Sequence, residues 1–239
     1  MTDASSTSDT EGRFARADRI LDAAADLLLH LGYRRVTVED VAERAGIGKG
    51  TVYLHWKTRQ DLFLAVLQRE VVASLDELVE ALRSDPATAL LHRLTKIHFT
   101  NVLRRPLLRA VYTTDPEVLG KLAKALHDLQ HPRHHEAFDD YLALLAKHDL
   151  LRTDLTVREI SYAYHATLHG FLLTDSYNGG RTAEPTEHKA DLLATTVQHA
   201  FEPTRPAPAK ALRAVGPRAI ELFAESADLD RTRLHSAYA

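Results

Sequence analysis

The sequence predicts an all-α protein, with a small N-terminal unit of three helices followed by a larger helical body. Three observations carry that expectation. Apolar residues recur at spacings of three and four along most of the chain, and alternating β-branched runs are scarce. Helix-opening capping patterns also stand in front of several of these runs, as in Thr37-Val-Glu-Asp40, Thr58-Arg-Gln-Asp61 and Thr156-Val-Arg-Glu159.

The first helix is expected from about Ala15 to Leu31, with Ile20, Ala24, Leu27, Leu28 and Leu31 on one stripe and Gly32 as a left-handed stop. A second, short helix opens at Thr37 and ends at Ala45-Gly46. A third runs from Lys49 to about Trp56. A long helix follows from Thr58 to about Arg83, its apolar face built by residues such as Leu62, Phe63, Val66, Leu75 and Leu82. Asp85-Pro86 and Asp115-Pro116 place an acidic cap before a first-turn proline and mark two further helix starts. Pro106 and Pro132 interrupt the pattern around them. Later helices fit 134–148, 156–176 and 187–201, with a loop at Asn178-Gly179-Gly180. Pro203, Pro206 and Pro208 read as a stiff linker, and 209–227 as one or two short helices around Gly216-Pro217.

Composition narrows the class. The 239 residues are 45% hydrophobic and 26% charged, as in ordinary globular proteins. No apolar run approaches the roughly 18 residues of a membrane span. Met1 to Gly12 is polar and lacks a signal-peptide pattern, so it is expected as a disordered tail on a cytoplasmic protein with no membrane partner. Absence of cysteine excludes disulfides and thiolate metal sites. The net charge of −3 is unevenly spread: 13–59 holds nine basic and six acidic residues, a net of +3 that leaves −6 elsewhere. A basic end on an acidic body suits presentation of one end to a polyanion.

The informative stretch is Thr37 to Arg59. Two short helices meet at Gly46, with small Ala42 on the first and apolar Val52 on the second where they cross. That is the geometry of a helix-turn-helix, whose second helix enters the major groove. On its exposed face Lys49 can donate to guanine acceptors, Thr51 can bond or touch a thymine methyl, and Gly50 permits close approach. Tyr53, His55, Lys57 and Arg59 can donate to phosphate oxygens, and Thr37 opens a helix whose free N–H groups can hold another phosphate.

This segment resembles the DNA-binding region of the tetracycline-repressor (TetR) family of bacterial regulators. The matching residues are Ala23-Ala24, Gly32-Tyr33, Thr37, Val41-Ala42, Ala45-Gly46, Lys49-Gly-Thr-Val-Tyr53, His55, Lys57 and Asp61-Leu62-Phe63. Trp56 stands where the family usually has Phe, and Arg59 where Lys is common. The resemblance implies phosphate contact by Thr37, Tyr53 and Lys57, with base reading by Lys49, Gly50, Thr51 and Leu54 or His55. It further implies a homodimer on double-stranded DNA, paired through the helices near 156–176 and 187–201, and reading a palindromic operator. A small molecule in the body would release it, in the manner of a repressor. The domains expected are a tail at 1–12, a helix-turn-helix DNA-binding domain at 13–60, a ligand-binding and dimerisation domain at 61–202, and an extension at 203–239.

Candidate ligand contacts in the body are His98, Phe99, Tyr112, Phe138, Tyr141, Tyr162 and His165, residue types that line pockets and equally fill cores. The pair His165 and His169 and the group His127, His131, His134 and His135 have spacings seen in metal sites, but no carboxylate completes them, and neither metal nor cofactor is expected. Without a nucleophile elbow, zinc motif or phosphate-binding glycine loop, catalysis is not expected. The alternatives are a helical interaction adaptor without DNA binding, and a metal-dependent helical enzyme.

Overall fold

The computed structural model describes residues 4–129, 132–177, 184–236 and 238. Among them the chain is helical throughout, with no strand. Three helices open it: α1 (Ala4–Leu31), α2 (Val38–Arg44) and α3 (Lys49–His55). The long α4 (Arg59–Ser84) leads into a 3-10 turn at Pro86–Ala89. The body continues with α5 (Leu91–Arg104), α6 (Pro106–Thr113), α7 (Leu122–Leu129) and α8 (Pro132–Lys147). It closes with α9 (Val157–Tyr177), α10 (Thr186–Phe201) and α11 (Ala209–Ser236).

Capping chemistry accounts for the early boundaries. The Thr37 side chain accepts from the Asp40 N–H at 3.2 Å, while Asp40 accepts from the Thr37 N–H at 2.8 Å. Thr58 and Asp61 repeat the arrangement at 3.1 and 3.0 Å and start α4. Between α2 and α3, Gly46 adopts φ +68, a left-handed backbone that side-chain-bearing residues rarely take. Pro106 begins α6 at its first turn, where a missing N–H breaks no helical bond.

Two apolar cores result. One gathers Ile20, Leu21 and Leu28 of α1, Val41, Ala42, Val52 and Trp56 of the helix-turn-helix, and Leu62, Phe63 and Val66 from the first turns of α4. The other joins Leu78, Val79 and Leu82 at the far end of α4 to Phe99, Tyr141, Leu168, Leu193 and Phe223. The boundary expected near residue 60 therefore falls within a helix that serves both cores. Leu107 and Val111 of α6 and Leu119 also enter the N-terminal core, binding the two parts together.

Several expectations are corrected. The first helix begins at Ala4, so 4–12 extends it rather than forming a disordered tail; once a helix is nucleated, adding residues is inexpensive. Asp115-Pro116 opens a turn instead of a helix, Asp115 Oδ1 accepting from the N–H groups of Glu117 and Val118. The segment after the proline linker is one 28-residue helix that passes through Pro217. Proline faces solvent there, and its neighbour Gly216 lacks the Cβ with which a proline ring clashes. Burial of Val215, Ala219, Leu222 and Phe223 on the opposite face outweighs the lost hydrogen bond. The loop expected at Asn178-Gly179-Gly180 lies outside the described residues.

The 115–120 turn seats the body on the N-terminal unit. The Tyr33 N–H donates to the Val118 carbonyl at 2.9 Å, and Gly32 turns at φ +70. A Cβ on Gly32 would stand 2.2 Å from the Glu117 carbonyl oxygen. Gly32→Ala is therefore expected to lower unfolding stability by at least about 2 kcal/mol, from left-handed strain and displacement of this turn together. Urea denaturation measures it, and a loss below half that figure would show that the contact yields cheaply.

Candidate nucleic-acid interface

The steep crossing of α2 and α3 turns one side of α3 inward and leaves the other bare. Val52 packs in the core, at 1% exposure, while Lys49, Gly50, Tyr53, Leu54 and Lys57 are exposed and Thr51 is half-buried. Leu54 is 75% exposed, a large apolar side chain with no core to enter. No neighbouring atom lies within 4 Å of where a Cβ on Gly50 would sit, so the backbone at that position is open to close approach from outside. Thr37 stands at the N-terminus of α2, exposed, with its hydroxyl donating to Asp40 at 2.7 Å.

Lys49 already has partners. Its ammonium pairs with Glu39 of α2 and lies 5.7 Å from the Tyr53 ring centre. The hydrogen bond between them holds the Glu39 carboxyl below its ordinary range and raises the Lys49 ammonium above its own. A polyanion that engages Lys49 must displace Glu39.

Two residues expected at the interface lie elsewhere. His55 is buried at the inner end of α3, its Nδ1 3.3 Å from the Tyr238 carbonyl oxygen. Burial lowers its pKa below the usual histidine value, an effect that the Tyr238 carbonyl opposes and the charges of Arg13 and Arg16 reinforce. Arg59 points into the molecule, its Nη1 donating to the carbonyls of Tyr33 at 3.1 Å and Val36 at 2.7 Å. Its guanidinium also lies 4.1 Å from the Tyr33 ring centre. Arg59 thus clamps the loop between α1 and α2 to the start of α4.

Tyr238, which sequence reasoning did not single out, completes this region. Its ring meets Trp56 at 5.9 Å and Phe14 at 5.4 Å, and its hydroxyl donates to Asp18 at 3.4 Å. Nothing local to Thr37–Arg59 announces a partner 183 residues away.

The body holds a partly open cavity of about 580 Å³, a volume typical of small-molecule sites. His98, Tyr112, Phe138 and His165 of the expected residues line it. Phe99 and Tyr141 are instead core, Tyr141 donating to the Ala89 carbonyl at 2.9 Å. Tyr162 points outward, 79% exposed. Tyr164 and His169 line the cavity and were missed. The signal was present: Tyr164, Leu168 and Leu172 repeat every four residues on one face, a face that Tyr162 does not share. Burial, with a lesser contribution from His165, lowers the His98 pKa to about 4, so the ring is neutral near pH 7.

Among the described residues no group of three or more His, Cys, Asp or Glu side chains is placed to hold a metal ion. His165 and His169 each direct Nδ1 to the carbonyl four residues earlier, at 2.8 Å. The side chains of His127, His131, His134 and His135 lie outside the described residues. No helix among the described residues is long and apolar enough to cross a membrane.

Comparison with known proteins bears on both regions. The family described as bacterial regulatory proteins, tetR family, matches residues 20–66. The transcriptional activator FasR of Mycolicibacterium smegmatis is 35% identical over 72 residues, covering 30% of this chain and 33% of the relative. The fatty acid metabolism regulator protein of Bacillus subtilis is 28% identical over 71 residues, 30% of this chain and 36% of the relative. The chain thus spans about a third of the length of these curated relatives. Among solved structures, the SmeT–triclosan complex superposes with TM-score 0.64 at 19% identity, over 81% of this chain and 99% of that one. The fatty acid degradation regulator FadR from Bacillus halodurans gives 0.62 at 16%, over 77% and 95%. FadR from Bacillus subtilis, in complex with stearoyl-CoA, gives 0.59 at 17%, over 75% and 96%. These likenesses establish the fold.

Arg59→Ala is expected to cost about 2 kcal/mol of stability, since a charged donor leaves two carbonyls unsatisfied. Chemical denaturation reads that loss. A variant as stable as the parent would return Arg59 to the exposed face.

Proposed function

We propose that the chain, whose residues 20–66 match the tetR family of bacterial regulatory proteins, is a ligand-responsive repressor that binds a palindromic operator as a homodimer. The observation that carries this reading is the exposed face of α3. It offers a cation, an open backbone at Gly50 and a second cation at Lys57, held by a buried opposite face. Lys49, Gly50, Thr51 and Leu54 face the base edges, while Thr37, Tyr53 and Lys57 hold phosphates. His55 and Arg59 take no part. The protein acts in the cytoplasm, where bacterial DNA lies.

Pairing through α9 and α10 is supported by what those helices leave uncovered. Tyr162 and Leu192 are large apolar side chains at 79% and 46% exposure, and Ala166 and Gly170 continue the Tyr162 row at four-residue spacing. A two-fold dimer places its recognition helices about one DNA turn apart, roughly 34–36 Å.

The cavity takes the effector. Its walls are mainly apolar, and neutral His98 stands edge-on to Tyr112 at 5.2 Å. Neither side chain forms a hydrogen bond with a described residue, so both are available to an uncharged hydroxyl or carbonyl on an otherwise apolar molecule. The structurally similar SmeT and Bacillus subtilis FadR in their complexes with triclosan and stearoyl-CoA accord with an effector that is largely apolar.

Selection from randomised duplex DNA tests the reading: a palindrome with half-sites one turn apart is expected, and recovery of no preferred sequence would leave the adaptor reading in front. On the selected operator, Gly50→Ala is expected to weaken binding while leaving the fold at least as stable, since alanine suits a helix interior better by roughly 0.5–1 kcal/mol. Lys57→Ala should weaken all DNA about equally and reduce the salt slope by about 1. Unchanged operator binding by Gly50→Ala would remove that position from the interface.

For the cavity, 1-decanol should raise the melting temperature more than decanoate or decylamine, in proportion to its preferential binding to the folded state. The double change His98→Leu with Tyr112→Phe should erase the difference. Equal or greater stabilisation by the charged probes would assign the cavity another ligand class.

A further inference from the structure

The helix α11 belongs to both cores at once. Its middle is packed into the body, with Val215, Ala219, Leu222 and Phe223 in that core. Its last turn and the residues beyond belong to the other, where Leu234 and Tyr238 join the helix-turn-helix residues. Between them, Phe223, Ser226, Asp230 and Arg233 form one wall of the cavity. These four recur at spacings of three and four, one face of one helix. Residues of α11 thus line the cavity, and Tyr238, two positions beyond its end, reaches the inner end of α3.

The anchor at that end is dense. Tyr238 meets Trp56, Phe14 and the His235 ring, the last at 5.4 Å, and its carbonyl oxygen lies 3.3 Å from His55 Nδ1. His235 meets Phe14 at 5.1 Å. His55 is the last residue of α3 and Trp56 its cap, so the anchor fixes the end of the helix whose other residues face outward. Along the way, Gln68 of α4 donates to the Asp230 carbonyl at 3.2 Å, and Arg231 pairs with Asp76.

We propose that Tyr238 is a positioning residue for the recognition helix, and that α11 is the element through which an occupant of the cavity moves it. Filling the cavity presses on the Phe223–Arg233 face, shifts α11 along α4 and withdraws Tyr238 from His55 and Trp56. The inner end of α3 then loses its support, and α3 leaves the orientation that suits the groove. The proposal rests on reading α3 as the DNA contact and the cavity as the effector site. It adds a route between them that does not require α4 to swing as a lever.

The chain has a single tryptophan, Trp56, and it sits against Tyr238. Its emission therefore reports the anchor directly, without DNA and without a known effector. The probe for the cavity is a side chain: Ser226→Phe, with Ser226→Leu as a smaller filler, projects bulk into the cavity from α11. Circular dichroism establishes that each variant remains helical. Tyr238→Ala sets the emission of a released anchor, expected to be red-shifted as water reaches the indole, and Tyr238→Phe should keep the parent spectrum.

If α11 transmits, a folded filler variant shifts Trp56 emission toward that of Tyr238→Ala. It also weakens the selected operator by about tenfold, within the usual range of coupling between sites. In the Tyr238→Ala background the filler should add less than a further twofold, because the link is already cut. The proposal is overturned if the fillers fold and leave the emission at the parent position, or if their effects on operator binding multiply in full with that of Tyr238→Ala. An emission shift with no selectable operator would instead sink the reading of α3 while leaving the mechanical link intact.

Discussion

Helices that are shared between cores hold the molecule to one shape, and α4 and α11 are the longest of them. The first turns of α4 bury Leu62, Phe63 and Val66 with the helix-turn-helix, and its last turns bury Leu78, Val79 and Leu82 with the body. α11 runs back beside it and repeats the arrangement in the opposite direction. A helix resists bending because each turn is bonded to the next. A displacement at either end is therefore felt at the other, unless a hinge intervenes. The chain has no glycine within α4 to act as one. Whatever the body binds, its effect on the outer face of α3 has these two rods, α6 and the turn seated on Gly32 as its routes.

The helix-turn-helix was legible because its determinants are local. Thr37 and Asp40 close a cap three residues apart, Gly46 supplies a left-handed turn, and Val52 must be apolar where two helices cross. The same holds for the start of α4 at Thr58. What was not legible depends on distant partners. His55 and Lys57 look alike as donors in the sequence, yet one is buried over Tyr238 and the other is exposed. Arg59 reads as one more cation until the carbonyls of Tyr33 and Val36 are seen to converge on it. In the body, the candidates were chosen by residue type and four of seven line the cavity. Phe99, Tyr141 and Tyr162 fell away because core, cavity and surface all accept aromatic side chains. Pro217 marked a break by local rules, and a buried face on either side of it overrode them.

The two polar environments of the molecule follow opposite logics. At the outer surface the side chains are solvated, and their pairings, such as Lys49 with Glu39, are weak in water and open to exchange. Inside, His98 and Tyr112 are shielded: burial lowers the pKa of the one and raises that of the other, so each stays uncharged near neutrality. A surface built of exchangeable charges favours a polyanion, whose binding is dominated by counterion release. A cavity built of neutral donors and acceptors favours a molecule that has little to lose on leaving water.

The Lys49–Glu39 pair has a consequence for discrimination. Because the ammonium is already satisfied by a carboxylate, engaging it from outside is an exchange rather than a simple gain. A polymer that offers only diffuse negative charge replaces one anion by another and profits little. A partner that presents two acceptors at the spacing of a guanine edge can return more than Glu39 held. The acidic neighbour thereby sets a threshold, lowering the reward for casual contact and leaving most of the reward for a fitted one. Removing that carboxylate would be expected to make the surface bind more strongly and choose less well.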